Sequence, residues 1–318
     1  MTREVSLFHL SGTKILILFI LLTGWTFTFS QDGEVKQTYP DGTIKQVETF
    51  KNGKLNGTCS YYYESGILKE TVNYDNGRKS GKYTSYYDTG ILKEKMNYDN
   101  NKLDGRYATY YPEGILKEKG NYKQGVFADT ITSWYENGNL KSKYYYKSGL
   151  REGTACDYYP NGTLKVEAEY SNDQQNGKTS WYYDNGTLKG VYNYVEGNIE
   201  GPVTEYYPDG KLMAEKNYEY SHLTGPVKYY YENGNLKSVV NYDEGMKEGS
   251  AKSYYDNGTV WSVQNYEENK LEGETKIYRD DGTLWYIETY DEGNLVKSRE
   301  YSKDGSVVSE KKISEEGK

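Results

Sequence analysis

Two cysteines, two histidines, four methionines, six phenylalanines and six prolines are all that 318 residues contain of those types. So few cysteines exclude a disulfide-dense scaffold and a thiolate zinc cluster. Two histidines leave little material for general acid–base or metal chemistry. The shortage of Phe and Met, with mean hydropathy −0.95, removes the inventory of a thick hydrophobic core. No apolar run is long enough to cross a bilayer comfortably: the only one, Ile15 to Leu22, is about eight residues, or fifteen with the Trp and Phe that follow. After residue 31 no stretch keeps a 3.6-residue apolar period, which argues against amphipathic helices.

The chain is rich instead in tyrosine (39) and glycine (34), and 27% of its residues are charged, with both signs interleaved. Net charge is −8, a balance expected to repel nucleic-acid phosphates and anionic membrane surfaces. Arg3 and Lys14 before the apolar run, and Thr23, Gly24 and Phe29-Ser30-Gln31 after it, follow the order of a secretory signal. Residues 1–30 are expected to be a signal peptide cleaved near Ser30, giving an exported, periplasmic or extracellular chain; the alternative is an uncleaved amino-terminal anchor. Cleavage would leave 37 basic and 46 acidic groups and one histidine, His222.

Glycines at 42, 66, 90, 114, 138, 162, 186, 210, 234, 258 and 282 stand 24 residues apart, and Gly305 follows at 23. A fixed period of this length marks a repeat architecture. Positions are counted below from the preceding turn glycine. Position 2 is Ile44, Leu68, Leu92 and their equivalents; position 8 is Phe50, Tyr74, Tyr98 and so on to Tyr290. Both numbers being even, an unbroken strand places them on one face. A connector follows, whose middle position (Gly53, Gly77, Asn101, Gly125, Gly149, Asp173, Gly197, Ser221, Gly245, Asn269, Gly293) is drawn mostly from residues that tolerate a left-handed backbone.

A second strand ends in an aromatic pair, Tyr62-Tyr63, Tyr86-Tyr87, Trp134-Tyr135 and onward to Tyr254-Tyr255. The return turn reads Tyr-x-[Asn/Asp/Glu/Ser/Thr]-Gly, with Pro40, Pro112, Pro160 and Pro208 as x, which indicates a type I turn and a left-handed glycine bulge. In such a three-residue loop the first tyrosine of each pair faces the position-2 leucine, and the second joins Lys69, Lys93, Lys117, Lys141 and Lys165. A Leu/Tyr side and a Tyr/Lys/Asn side result, with Glu70, Glu94 and Glu118 falling on the side expected to be buried, and Val203 and Val227 on the other.

The expected fold is all-β: an elongated antiparallel meander or open solenoid of about eleven stacked 24-residue hairpins, forming a single domain over residues 31–305, with a charged tail over 306–318. Two strands per unit at about 4.8 Å give a length near 100 Å. The open terminal strands favour edge-to-edge self-association unless capped.

The G-x-L-K turn, the Y-x-x-G-x-x-x-G connector and the Y-Y-x-[ND]-G ending, clearest over Tyr86–Gly105 and Tyr230–Gly249, resemble the MORN repeat, specifically the variant in bacterial proteins of the YwqK type. The resemblance implies stacked antiparallel hairpins and carries no catalytic motif. Members of that group are commonly labelled antitoxin components of toxin–antitoxin modules, and MORN repeats elsewhere act as scaffolds or contact lipids. An export signal is a departure from an antitoxin acting inside the cell.

No catalytic, cofactor or metal site is expected. His222 sits in a connector between Ser221 and Leu223 without a partner. Cys59 and Cys156 occupy positions 17 and 18 of different units, point to opposite faces, and lie too far apart for a disulfide. Asp75, Asp99, Asp243 and Asp291 match no calcium-loop spacing. The Asn-Gly-Thr triplets at Asn56, Asn161, Asn185 and Asn257 read first as turns. One feature carries functional content, the second-tyrosine ladder: Tyr63, Tyr87, Tyr111, Tyr135, Tyr159, Tyr183, Tyr207, Tyr231 and Tyr255. Its amphipathic rings beside lysines suit a protein partner and could also stack on a glycan. The expected function is a non-enzymatic binding module or scaffold, with an antitoxin or immunity protein and a glycan- or cell-wall-binding protein as alternatives.

Overall fold

The computed structural model describes residues 32–313; the expected signal peptide, His9 and the last five residues lie outside that range. Among the described residues there is no helix, and 30 antiparallel strands form one open sheet. Each unit contributes a first strand of eight residues, such as Leu68–Asp75, and a second of up to nine, such as Arg78–Tyr86. In six units the second strand is split, as in Lys102–Leu103 and Gly105–Tyr110. Successive strands pair in chain order, so the sheet is a meander with turns along one edge and connectors along the other. Val307–Lys312, within the charged tail, adds a last strand against Asn294–Tyr301.

The return turn is the one read from the sequence. In the Tyr63–Gly66 turn, Gly66 N–H donates to Tyr63 O (2.9 Å) and Tyr63 N–H to Ile67 O (2.8 Å). Gly66 has φ +80°, the left-handed residue of the bulge.

The connector is tighter than a seven-residue link. Asn76 (φ 48°) and Gly77 (φ 81°) form a two-residue turn with Asp75 paired to Arg78, the type I′ geometry that suits the twist of a hairpin. All eleven middle positions have φ between 66° and 90°. Where that residue is not glycine its side chain recovers something: Asn101 Oδ1 accepts from Lys79 N–H (2.7 Å), Asp173 Oδ1 from Arg151 N–H (2.9 Å) and Ser221 Oγ from Ile199 N–H (2.9 Å). The set is therefore explained by backbone geometry plus a bond to the preceding unit.

One expectation about the faces is corrected. Tyr62 pairs with Leu68 as the turn required, but Tyr61 pairs with Glu70, Cys59 with Val72 and Gly57 with Tyr74. Lys69 is an extra residue, a bulge that recurs at position 3. Opposed residues share a face and neighbours alternate, so Leu68 lies on one face and Glu70, Val72 and Tyr74 on the other. Positions 2 and 8 are thus on opposite sides, and asparagine 73 sits with the leucine.

The bulge also resolves the misfits. Val203 (1% exposed) and Val227 (0%), at position 17, are among the most buried residues, on the same face as Tyr74 and its equivalents. On this core face the position-8 ring of Tyr122 packs against Tyr107 at position 17 (centroids 4.8 Å apart) and against Phe127 at position 13 (4.7 Å). The glutamates there accept hydroxyls: Tyr83 donates to Glu70 (3.0 Å), Tyr107 to Glu118 (2.7 Å) and Tyr192 to Glu205 (2.7 Å). A single layer buries little, and this row of small side chains roofed by tyrosines is its core.

Candidate functional site

The ladder tyrosines follow the last residue of each second strand and begin each turn. Every one of the nine donates its hydroxyl to a backbone carbonyl 23 residues on, in the next unit: Tyr63 to Tyr86 O (2.8 Å), Tyr111 to Trp134 O (2.9 Å), Tyr159 to Tyr182 O (2.9 Å), and so on to Tyr255 and Tyr278 O (2.9 Å). Tyr39 begins the series with Tyr62 O (2.8 Å). The hydroxyls are therefore spent on tying unit to unit.

The bulge lysine lies over the ring in most units: Lys69 over Tyr63 (5.7 Å), Lys117 over Tyr111 (5.5 Å), Lys165 over Tyr159 (5.7 Å) and Lys237 over Tyr231 (5.4 Å). The extra residue that inverts the face pattern is the one that brings lysine to tyrosine. Beside this row the turn asparagines form a second tie. Asn161 Oδ1 accepts from Thr163 N–H (2.9 Å) while its Nδ2 donates to Asp184 O of the next turn (2.8 Å). Asn185 and Asn257 repeat both bonds, so three of the Asn-Gly-Thr triplets have the amide nitrogen engaged; Asn56 Nδ2 is bonded to Asp75 Oδ1 (3.3 Å).

Towards the carboxyl end the row changes, which a reading of the consensus passed over. Position 3 becomes Met213, Trp261, Trp285 and Val308. Trp261 is 47% exposed, Trp285 38% and Val308 61%. In the last full unit the pair is exchanged: Arg279 replaces the second tyrosine, its Nη2 donating to Tyr301 O (2.6 Å), and its guanidinium lies 5.3 Å from the Trp285 ring. Cation and aromatic have swapped places while both the tie and the contact survive. A shallow cavity of about 460 Å³ opens there, lined by Tyr255, Arg279, Trp285 and Lys303. Departures from lysine at position 3 are the sequence signal for these residues.

The remaining candidates are scattered. His222 is exposed on the connector edge beside Glu219, Asp243 and Glu244. Cys59 pairs with Val72 on the core face and Cys156 with Glu167 on the other; both thiols are free, and burial raises both pKa values. Asp75 accepts from Asn56 and Asn76. Among the described residues no three His, Cys, Asp or Glu side chains come together as a metal site.

A stacked single-layer array of β-hairpins with side-chain ties along both edges defines a β-repeat protein. The MORN repeat variant model matches eleven segments, from 31–52 and 55–76 to 247–268 and 271–292, and the chain belongs to that family. MORN repeats are in general binding modules for proteins or membranes. No curated protein matches. Among solved structures, one titled "Crystal Structure of TcdB2-TccC3-TEV" aligns at 12% identity over 87% of this chain and 19% of that chain, with a TM-score of 0.18. The Photorhabdus luminescens Tc holotoxin pore aligns at 12% over 88% and 19%, also at 0.18. This chain spans about a fifth of their length, and scores so low carry no structural argument.

Proposed function

We propose that this chain is a non-enzymatic, exported protein-binding module that engages its partner along the turn edge, through the tyrosine–lysine row and above all its tryptophan-bearing end. The observation that carries the reading is the replacement of the bulge lysine by half-exposed Trp261 and Trp285, the latter lining one cavity with Arg279 and Tyr255. Trp, Tyr and Arg are the residues that dominate binding energy at protein interfaces. Hydroxyl ties and cation–ring contacts hold the rings in place, which lowers the entropy cost of docking. The single histidine left after export, exposed among carboxylates, supports a non-catalytic role. Sequencing the amino terminus of the secreted chain tests export: a start just after Ser30 is expected, and an intact Met1 refutes cleavage.

The binding test is a crosslinked pull-down from the exporting organism with the wild-type chain and a Trp261→Ala/Trp285→Ala variant. A specific protein recovered with the first and lost with the second is the expected result; equal recovery refutes the assignment of the edge. The resemblance of Tyr86–Gly105 to YwqK-type chains supplies a narrower form of this reading, in which the partner is a toxin. There a small toxin gene lies beside this one, and deleting this gene is lethal only when that neighbour is present.

A further inference from the structure

The face opposite the core carries a cluster that the turn edge does not use. Cross-strand pairing places Thr84, Lys95, Ala108, Lys119, Thr132, Lys143 and Cys156 in one row across seven strands, each directly opposite the next. Cations and small residues alternate strictly along it. A second row runs alongside, Lys82 opposite Asn97 and Arg106 opposite Asn121. Like positions recur every second strand, so the cations within a row are spaced at about 9.6 Å. The Thr84–Lys119 part of the first row and the second row line an open groove of about 1020 Å³, whose one carboxylate, Asp129, accepts from Asn121 Nδ2 (3.2 Å), and Thr132 and Lys143 continue the first row beyond it.

Lys82, Lys95, Arg106, Lys119 and Lys143 are all exposed, and none of them lies within ion-pair reach of a carboxylate in the described residues. This is not the habit of the face. Further along the same row Lys228 is bridged to Glu215 at 3.0 Å, and the equivalents of Lys95 become Glu167, Val191 and Glu215. Five unpaired cations are thus gathered in four consecutive units of a chain that is acidic overall, whereas beyond them unpaired cations such as Lys178 and Lys252 stand singly on this face. Lys95 and Lys119 lean over Tyr110 (5.8 Å) and Trp134 (5.3 Å), which places an aromatic ring at the side of the groove in each unit.

We infer that this groove and the row that continues it bind an acidic polysaccharide lying across the strands, with its carboxylates on Lys95, Lys119 and Lys143. Three features select this occupant. The groove lies in the middle of a sheet face, where backbone N–H and C=O groups are used in the ladder, so an extended peptide cannot add as a strand. The cation period matches a polymer charged once per disaccharide, a repeat close to the span of two strands. The intervening Asn and Thr side chains and flanking rings offer the hydrogen bonds and stacking that hydroxyl-rich pyranose units take. The site is separate from the turn edge and does not depend on the protein-binding reading.

The test uses the purified secreted chain and labelled hyaluronate, which carries one carboxylate per disaccharide, with dextran as the neutral polymer and poly-glutamate as the acidic peptide. Hyaluronate is expected to bind at low salt and to be released as salt rises, and dextran not to bind. The exposed pair Lys95→Glu/Lys119→Glu is expected to weaken binding roughly tenfold or more, since two attractions become repulsions. Lys95→Gln/Lys119→Gln should weaken it less, and Lys141→Glu/Lys165→Glu on the turn edge should change it less than about twofold. Failure of hyaluronate to bind, poly-glutamate binding as tightly as hyaluronate, or equal losses in groove and edge variants would each overturn the assignment.

Discussion

Replacing Tyr159 by Phe isolates the tie between units. The substitution removes one hydroxyl, which donates to Tyr182 O at 2.9 Å, and keeps the ring under Lys165 at 5.7 Å. A neutral hydrogen bond of this kind contributes about 1 kcal/mol net. For a chain of this size that lowers Tm by about 2–4 °C. Tyr206→Phe is the matched control: its hydroxyl makes no hydrogen bond among the described residues, and about 0.5 kcal/mol or less is expected there. Because units touch chiefly their neighbours, the loss at a central interface should also broaden the transition. Ten such tyrosines, Tyr39 and the nine ladder residues, add up to roughly 10 kcal/mol, comparable to the whole stability of a domain. The tenfold Tyr→Phe variant should therefore fail to fold at room temperature. Thermal and urea melts read all three variants. A Tyr159→Phe curve superimposed on wild type, or a tenfold variant that melts normally, refutes the claim that the hydroxyls hold the array together.

Other outcomes follow from the same geometry. Thr179 occupies position 17 with its Oγ1 buried and unpartnered, where Val203 and Val227 stand in later units; Thr179→Val should gain about 1 kcal/mol by urea denaturation. Gly77 (φ 81°) cannot accept a Cβ without strain, so Gly77→Ala should cost about 1–2 kcal/mol, whereas Gly77→Asn should cost less because Asn101 serves at the equivalent place. Burial raises the pKa of most position-8 tyrosines and, with a hydroxyl bond to Glu288, takes Tyr290 to about 12. A phenol whose folded pKa exceeds its unfolded value of about 10 gives stability that is complete below pH 10 and lost as pH rises through the folded value. Melts between pH 9 and 12 should show Tm falling above about pH 10, together with delayed tyrosinate absorbance in the folded chain. A flat Tm across that window contradicts the buried row.

The period, the turn glycines and the left-handed connector positions were legible because each is set by local backbone chemistry that recurs eleven times. The pairing of first tyrosine with leucine was legible for the same reason, since a three-residue turn fixes register at its own end. Face assignment failed two residues later. A bulge at position 3 has no composition of its own, lysine being an ordinary strand-surface residue, and one uncounted residue inverts every face beyond it. The tyrosine hydroxyls point along the turn edge to the next unit, a direction that appears only once the hairpins are stacked. Net charge misled in a different way: −8 describes the sum, while pairing in register gathers Lys82, Lys95, Arg106 and Lys119 into one groove, with Lys143 next along the row. Trp261 and Trp285 were visible in the sequence but lay outside the consensus, and an exception to a repeat is informative because the fold does not demand it.

The claim that the turn edge is the binding surface is tested most directly by placing a photo-crosslinking residue at Trp285, at Lys69 and at Lys178 of the other face in three otherwise native chains. Illuminated in the cells that produce the protein, the Trp285 chain should yield a discrete protein adduct, the Lys69 chain the same adduct more weakly, and the Lys178 chain none. Equal adducts from all three, or an adduct from Lys178 alone, contradicts the account.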